Sequence, residues 1–409
     1  DEKKQLMIAG IIEGFYGPPW THQERLQNID LLAEYGGNTY VWAAKLEPRH
    51  RQLWAEPFTE LELTEFAELA IRQKIVQVLI GLTPGADATT EQVINKLQPA
   101  INHGCHGVVL SFDDLPALDA AAKHREIANA LIENLKTQVW LVPTHYAGIT
   151  SSPYLAQLLD GLHPEVLVMW TGVHVVNDSI HALEARQRTQ ACRGRKPLLW
   201  DNTPVNDAMM SEALHLGPYA GREAELRSEI TGLLINPMEF ATASQPTLIS
   251  ALAWVNDGEP YSAWLNFVDQ HGWTEFARCT AFPDDPHWPG ARPTDDWWQA
   301  VVNMNPHGLE AGCEPWIDAA KQGAQLVLDA RRLLDPALPR SQSTVLKKIT
   351  LAMRWRSWQR LPVLLYGGGP RLRPVIINDE HGEFVYRHGS VISTTCLVDD
   401  EVMRCLNTD

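Results

Sequence analysis

The sequence has no apolar run approaching the ~18–20 residues that a membrane-crossing helix needs, and its charged start, DEKKQLM, lacks the apolar core of a signal peptide. The expectation is a chain that does not insert in a membrane. Cysteine is sparse and scattered: Cys105, Cys192, Cys279, Cys313, Cys396 and Cys405 form no CxxC pair. A chain of this size does not depend on disulfides, so free thiols in a reducing compartment are expected, cytoplasmic in preference to secreted. Basic residues are outnumbered, 34 Lys and Arg against 50 Asp and Glu, and the resulting net charge of −16 argues against nucleic acid or an anionic membrane surface as a partner. There is no HxH or HExxH among His22, His50, His124, His145, His174 and His181, so neither a metal site nor another cofactor site is expected. The GGGP at 367–370 lacks the Lys-Ser/Thr of a phosphate loop. Internal repeats and low-complexity tracts are also missing.

What is present is an alternation. Over the first 265 residues, short apolar runs alternate with longer segments of helical periodicity, such as HQERLQNIDLLAEY and SEALHLGPYAGREAELRSEI. That pattern marks repeated βα units on a parallel sheet. Eight strand candidates appear in order: MIAGIIEGF, NTYVWAAK, IVQVLIGL, HGVVLSFDD, QVWLVPTHY, VLVMWTG, PLLWDN and TGLLINP. The fold class expected is α/β, a (β/α)8 TIM barrel over 1–265. A helical region follows over 266–360, with GLEAGCEPWIDAAKQGAQLVLDARRLL and TVLKKITLAMRWRSWQRLPVLL as amphipathic segments. The tail 361–409 alternates apolar and polar residues around Gly-containing turns, as β-hairpins do.

The C-terminal ends of the eight runs carry polar side chains: Glu13, Lys45, Thr83, Asp113 with Asp114, Thr144 with Tyr146, Thr171, Asp201 with Asn202, and Asn236. A barrel builds its active site at that end, so these groups are expected to converge. Glu13 fits a structural acceptor better than a ligand contact. Asp113 and Asp114 stand out. Two carboxylates in one partly enclosed site are driven toward different proton states, giving an acid beside an anion, and cleavage of a glycosidic bond needs such a pair. Adjacent strand residues face opposite ways, however, so the pair must lie where the strand ends and the chain turns, or only one member faces the site. Alone, an Asp-Asp before Leu-Pro reads as a helix cap or a solvated turn; its place at a strand end reverses that. Among the tryptophans, Trp200 is the site candidate, because Asp201 and Asn202 follow it.

The segments GIIEGFYGPPWTHQERL, FDDL, VPTHY, MWTG, LLWDNTPVND and INPMEF, in this order and spacing from about residue 7 to 265, resemble the catalytic module of family 84 glycoside hydrolases. The resemblance implies a barrel followed by helices and a substrate-assisted mechanism. In it the 2-acetamido oxygen of the sugar attacks the anomeric carbon, forms an oxazoline and gives net retention. It implies that Asp113 orients and polarises the acetamido N–H, and that Asp114 is the general acid and then the base. Tyr146, Thr171 and Trp200 match residues that enclose the acetamido group, while Gly14, Lys45, Asn202, Asp207 and Asn236 match contacts to the ring and its hydroxyls. The substrate implied is a β-linked N-acetylglucosamine glycoconjugate, with an O-GlcNAc protein one candidate. Three departures stand out: Leu46 and Glu47 replace an acidic pair after Lys45, Val173 stands where Pro is frequent, and His145 where an acidic residue is frequent. They leave the chemistry in place and put leaving-group preference in question. An exo-acting β-N-acetylglucosaminidase is the leading reading; a sugar-binding protein without turnover and an endo-acting, hyaluronidase-like enzyme are the alternatives.

Overall fold

Strands β1 (Ile8–Glu13), β2 (Thr39–Trp42), β3 (Gln77–Leu82), β4 (Gly107–Ser111), β5 (Gln138–Val142), β6 (Leu167–Trp170), β7 (Leu198–Asp201) and β8 (Gly232–Ile235) pair in parallel, each with the next. The ring closes where β8 pairs with β1, Gly232 opposite Ile8. In the computed structural model, which describes residues 7–115, 120–339, 341–378, 384–392 and 395–408, these strands are buried along nearly their whole length. Burial on both faces is why they read as unbroken apolar runs in the sequence. Alternation then divides the side chains: Ile12, Val41, Leu79, Val109, Trp140 and Met169 fill the lumen. Their neighbours, such as Ile11, Tyr40, Val108 and Leu199, pack outward against the helices.

The helices between the strands are α1 (His22–Glu34), α2 (Glu60–Arg72), α3 (Thr90–Asn102), α4 (Ala121–Leu135), α5 (Pro153–Leu158) and α6 (Ala182–Ala191), with α7 (Gln245–Val255) after β8. Capping boxes begin the first three, Thr21 with Glu24, Thr59 with Glu62 and Thr89 with Gln92, and each satisfies free N–H groups of the first turn. The segment between β7 and β8 corrects an expectation. SEALHLGPYAGREAELRSEI forms no α-helix, only a short 3-10 turn at Ala224–Ser228. Gly217-Pro218 interrupts the periodicity, and Gly221 sits at φ +77° with a Cβ that would meet Asp178 O at 2.1 Å.

Beyond the barrel come α8 (Pro260–Gln270), α9 (Thr274–Cys279), α10 (Asp295–Asn303), α11 (Glu314–Leu333) and α12 (Gln342–Trp358). The expected boundary at 265/266 falls inside α8. An antiparallel hairpin of β9 (Pro370–Asn378) and β10 (Phe384–Ile392) follows, then α13 (Leu397–Leu406), a helix that the tail's alternation did not announce. Leu397, Val398, Val402 and Cys405 of α13 are buried in one core with Trp298, Trp316 and Tyr366, so the tail completes the helical region. All six cysteines are free and buried. Among the described residues no helix is long and apolar enough to cross a membrane.

Candidate active site

At the C-terminal mouth of the barrel lies a cavity of about 220 Å³. Gly14, Lys45, Asp113, Asp114, Tyr146, Thr171, Trp200, Asn202, Asp207 and Asn236 all border it. Seven elements of the chain thus meet in one pocket. Tyr16, Val142, Val175, Val176, Val205, Ala208, Met210 and Pro374 complete its wall, and no polar strand-end signal marked any of them.

The carboxylate pair is resolved by a turn. Asp113 follows β4 and is buried, whereas Asp114 adopts φ 55°, a left-handed conformation that aspartate tolerates better than most residues. The left-handed residue breaks the strand's alternation, which allows both members to border the same pocket. Asp113 Oδ2 is 2.6 Å from Lys45 Nζ, an ion pair between buried side chains. Its Oδ1 is buried and has no hydrogen-bond partner among the described residues. Asp114 is exposed to the mouth and accepts two phenol hydrogen bonds, from Tyr16 at 2.6 Å to Oδ2 and from Tyr146 at 3.1 Å to Oδ1. Burial first, and then the negative charges of Asp114 and Asp113, raises the Tyr146 hydroxyl well above its ordinary value, so it is a donor at any working pH.

The opposite wall is a chain of amides. Asn236 accepts from Gly14 N–H at 3.1 Å and donates to Asn202 Oδ1 at 2.8 Å, and Trp200 Nε1 donates to the same oxygen at 2.9 Å. Asn202 is itself anchored by donating to Val175 O at 2.7 Å. Trp200 lies with its ring centroid 5.3 Å from Lys45 Nζ. Gly14 is required here, because a Cβ would stand 2.3 Å from Trp200 Cζ2. Thr171 donates its hydroxyl proton to His174 O at 3.0 Å, which leaves its oxygen as an acceptor toward the pocket. Asp207 accepts from Tyr16 N–H at 2.7 Å. Its carboxyl is raised above the usual carboxylate range, chiefly by burial, with Asp114 adding to the rise and the Tyr16 N–H and Lys45 opposing it.

Four strand-end groups do not reach the cavity. Glu13 receives Arg25 through Nε at 2.9 Å and Nη2 at 2.8 Å, together with the Tyr40 hydroxyl and the Trp20 N–H, and so ties β1 to α1. Asp201 is held by Arg222 Nη2 at 2.7 Å and the Tyr219 hydroxyl at 2.7 Å. Thr144 bonds Phe112 O at 2.8 Å, and Thr83 faces His50. The ring of His124 stacks on Phe112 at 3.6 Å, fixing the residue before Asp113 from behind. Of the departures, Glu47 pairs with Arg25 at 2.5 Å, Leu46 is exposed, and His145 is buried on Ser152 Oγ at 2.6 Å. Among the described residues no group of three or more His, Cys, Asp or Glu side chains is arranged to hold a metal ion.

A closed (β/α)8 barrel whose mouth gathers two adjacent carboxylates, phenols, amides and a tryptophan defines a barrel glycoside hydrolase. The family model described as beta-N-acetylglucosaminidase matches residues 9–271, and the chain belongs to that family. The protein O-GlcNAcases of Rattus norvegicus and Mus musculus are each 31% identical to it over 256 residues, which is 56% of this chain and 28% of theirs. The chain therefore spans less than a third of the length of these relatives. Among solved structures, CpGH84B is similar with a TM-score of 0.77 at 21% identity, over 88% of this chain and 74% of that one. A mutant of the Thermobaculum terrenum O-GlcNAc hydrolase is similar with a TM-score of 0.79 at 21% identity, over 98% and 94% of the two chains. At that identity the two structures speak for the fold.

Proposed function

We propose that this chain is a retaining exo-β-N-acetylglucosaminidase that works by substrate-assisted catalysis. The observation that carries the reading is the different setting of two neighbouring carboxylates on one small cavity: Asp113 buried on Lys45 with Oδ1 unpartnered among the described residues, Asp114 at the mouth under two phenols. Asp113 Oδ1 is the acceptor for the substrate's acetamido N–H. That contact turns the acetamido oxygen toward the anomeric carbon and favours the positive charge that develops on nitrogen as the ring closes. Asp114 gives its proton to the glycosidic oxygen as the C1–O bond breaks. Water then adds to C1 of the oxazoline from the face that the leaving group vacated, with Asp114 taking its proton, so the configuration is retained.

The other residues bind and exclude. Trp200, Tyr146 and Thr171 enclose the acetamido group, and Gly14 keeps its place because the tryptophan ring occupies the space of a side chain. Asp207, an acceptor when ionised, suits two sugar hydroxyls at once, and Asn202, Asn236 and Lys45 supply further contacts. The substrate class is a β-linked N-acetylglucosamine glycoconjugate. O-GlcNAc on protein is the candidate that the relatives' names support.

The reading is tested by release of aryl alcohol from an aryl β-N-acetylglucosaminide beside the matching aryl β-glucoside. Turnover of the first alone is expected, because the glucoside lacks the internal nucleophile. Efficient turnover of both would point to a nucleophile on the enzyme. Turnover of neither, with tight binding of a thiazoline mimic of the oxazoline, would make the chain a sugar-binding protein.

A further inference from the structure

Three groups from different elements line up at the mouth of the cavity. Arg51, in the segment after β2, donates from Nη1 to the Tyr16 hydroxyl oxygen at 2.5 Å, and its guanidinium carbon lies 5.6 Å from the centre of the Tyr16 ring. Tyr16, in the loop after β1, donates its hydroxyl hydrogen bond to Asp114 Oδ2 at 2.6 Å. The main chain of Tyr16 is held in turn by Asp207 at 2.7 Å. Because the guanidinium occupies the phenol oxygen as a donor, the phenol proton has one direction left, toward the carboxylate. A cation at the head of such a chain also strengthens the second bond.

The two oxygens of Asp114 are therefore unequal. The bond to Oδ2 at 2.6 Å is in the normal range for O–H···O, whereas the Tyr146 contact to Oδ1 at 3.1 Å is longer than that range. Tyr146 is also a buried side chain that borders the cavity, where a bound ligand competes with Asp114 for its proton. A carboxyl that first gives and then takes a proton must keep the same oxygen toward the anomeric carbon through both steps, and rotation about its Cβ–Cγ bond would lose that alignment.

Resting on the hydrolase reading above, we propose that Arg51 is a positioning residue for Asp114, acting through Tyr16. The pair anchors Oδ2 and leaves Oδ1 as the oxygen that exchanges its proton with the leaving group and then with water. Neither residue touches the reacting atoms in this account, and neither is catalytic.

The experiment compares kcat/KM for two aryl β-N-acetylglucosaminides, one with an acidic leaving group and one with a poor one. Wild type, Tyr16→Phe, Arg51→Met, Arg51→Lys and the Tyr16→Phe/Arg51→Met double variant are measured, with thermal melts alongside. General acid catalysis is worth about 10²–10⁴-fold, so loss of its alignment is expected to cost about tenfold on the poor leaving group and less than about threefold on the good one. Arg51→Met is expected to fall in the same sense as Tyr16→Phe, with Arg51→Lys recovering part of the loss. The double variant is expected to match Tyr16→Phe within about twofold, since removing the phenol leaves the guanidinium nothing to orient. Multiplying losses in the double variant, or equal losses on both substrates, would overturn the proposal. So would Arg51→Met behaving as wild type. Inactivity of wild type on both substrates would instead remove the hydrolase reading, and this inference with it.

Discussion

Lys45 Nζ stands 2.6 Å from Asp113 Oδ2, and both side chains are buried, one after β2 and the other after β4, with β3 between the two strands. The contact engages one of the three ammonium protons, which leaves the others for a ligand. Removing one partner strands the other charge, a change that costs about 3–5 kcal/mol in a buried pair. Lys45→Met is therefore expected to lower the melting temperature more than the Lys45→Met/Asp113→Asn double variant does. Melting curves of the two, with Asp113→Asn alone, check this. A double variant less stable than Lys45→Met would show that the pair is not a compensating unit.

Gly14→Ala is expected to raise KM by about tenfold and to cost about 1–3 kcal/mol, the usual range for an overpacked site. The added methyl would stand 2.3 Å from Trp200 Cζ2, and that ring is fixed through Nε1 to Asn202. Steady-state kinetics with a denaturant melt would test it. An unchanged KM would mean that Trp200 does not wall the sugar site.

Asp207 is a desolvated carboxylate facing Asp114, and its raised proton affinity has a definite sign. The ionised form costs stability at neutral pH, a cost relieved as pH falls through a value above the usual carboxylate range. Affinity moves the opposite way, because a protonated carboxyl loses acceptor capacity. Asp207→Asn is expected to melt no lower than wild type at pH 7 while KM rises about tenfold or more, comparable to losing one or two charged hydrogen bonds. KM of the wild type should also rise on acidification, and that of Asp207→Asn should not. A lower melting temperature with an unchanged KM would contradict the assignment.

Deleting residues 396–409 is expected to yield an unstable, poorly soluble protein. Leu397, Val398 and Val402 are buried in the helical core, each worth about 1.5–3 kcal/mol. Glu401 of the same helix accepts from Arg331 at 2.7 Å. A soluble deletion variant with unchanged melting and activity would instead make this tail a docking module.

Much of the barrel was legible because a parallel sheet covered on both sides leaves eight apolar runs of strand length, and a polar residue ends each of them. Convergence at the mouth follows from that architecture. Other features were hidden for identifiable reasons. Periodicity alone cannot see that Gly217-Pro218 and Gly221 unmake a helix between β7 and β8. Strand alternation left open how Asp113 and Asp114 could share one site, since the left-handed backbone at Asp114 has no signature beyond the residue type. Tyr16 and Arg51 carry no strand-end signal, and their meeting depends on two loops folding toward each other. Glu13 reads as a structural acceptor and is one, held by Arg25 of the next helix, whereas Asp201 has the position and charge of a site residue but is claimed by Arg222, 21 residues on.

The central claim is the division of labour between the two aspartates. The most direct measurement is kcat/KM of Asp113→Ala and Asp114→Ala against a series of aryl β-N-acetylglucosaminides of increasing leaving-group acidity, with a chelator present throughout. The account predicts that Asp114→Ala loses about 10²–10⁴-fold on poor leaving groups and far less on acidic ones, because protonation matters least there. Asp113→Ala should fall on every member of the series, since orienting the acetamido group precedes all bond cleavage. Equal losses across the series for Asp114→Ala, or a leaving-group-dependent loss for Asp113→Ala, would contradict it.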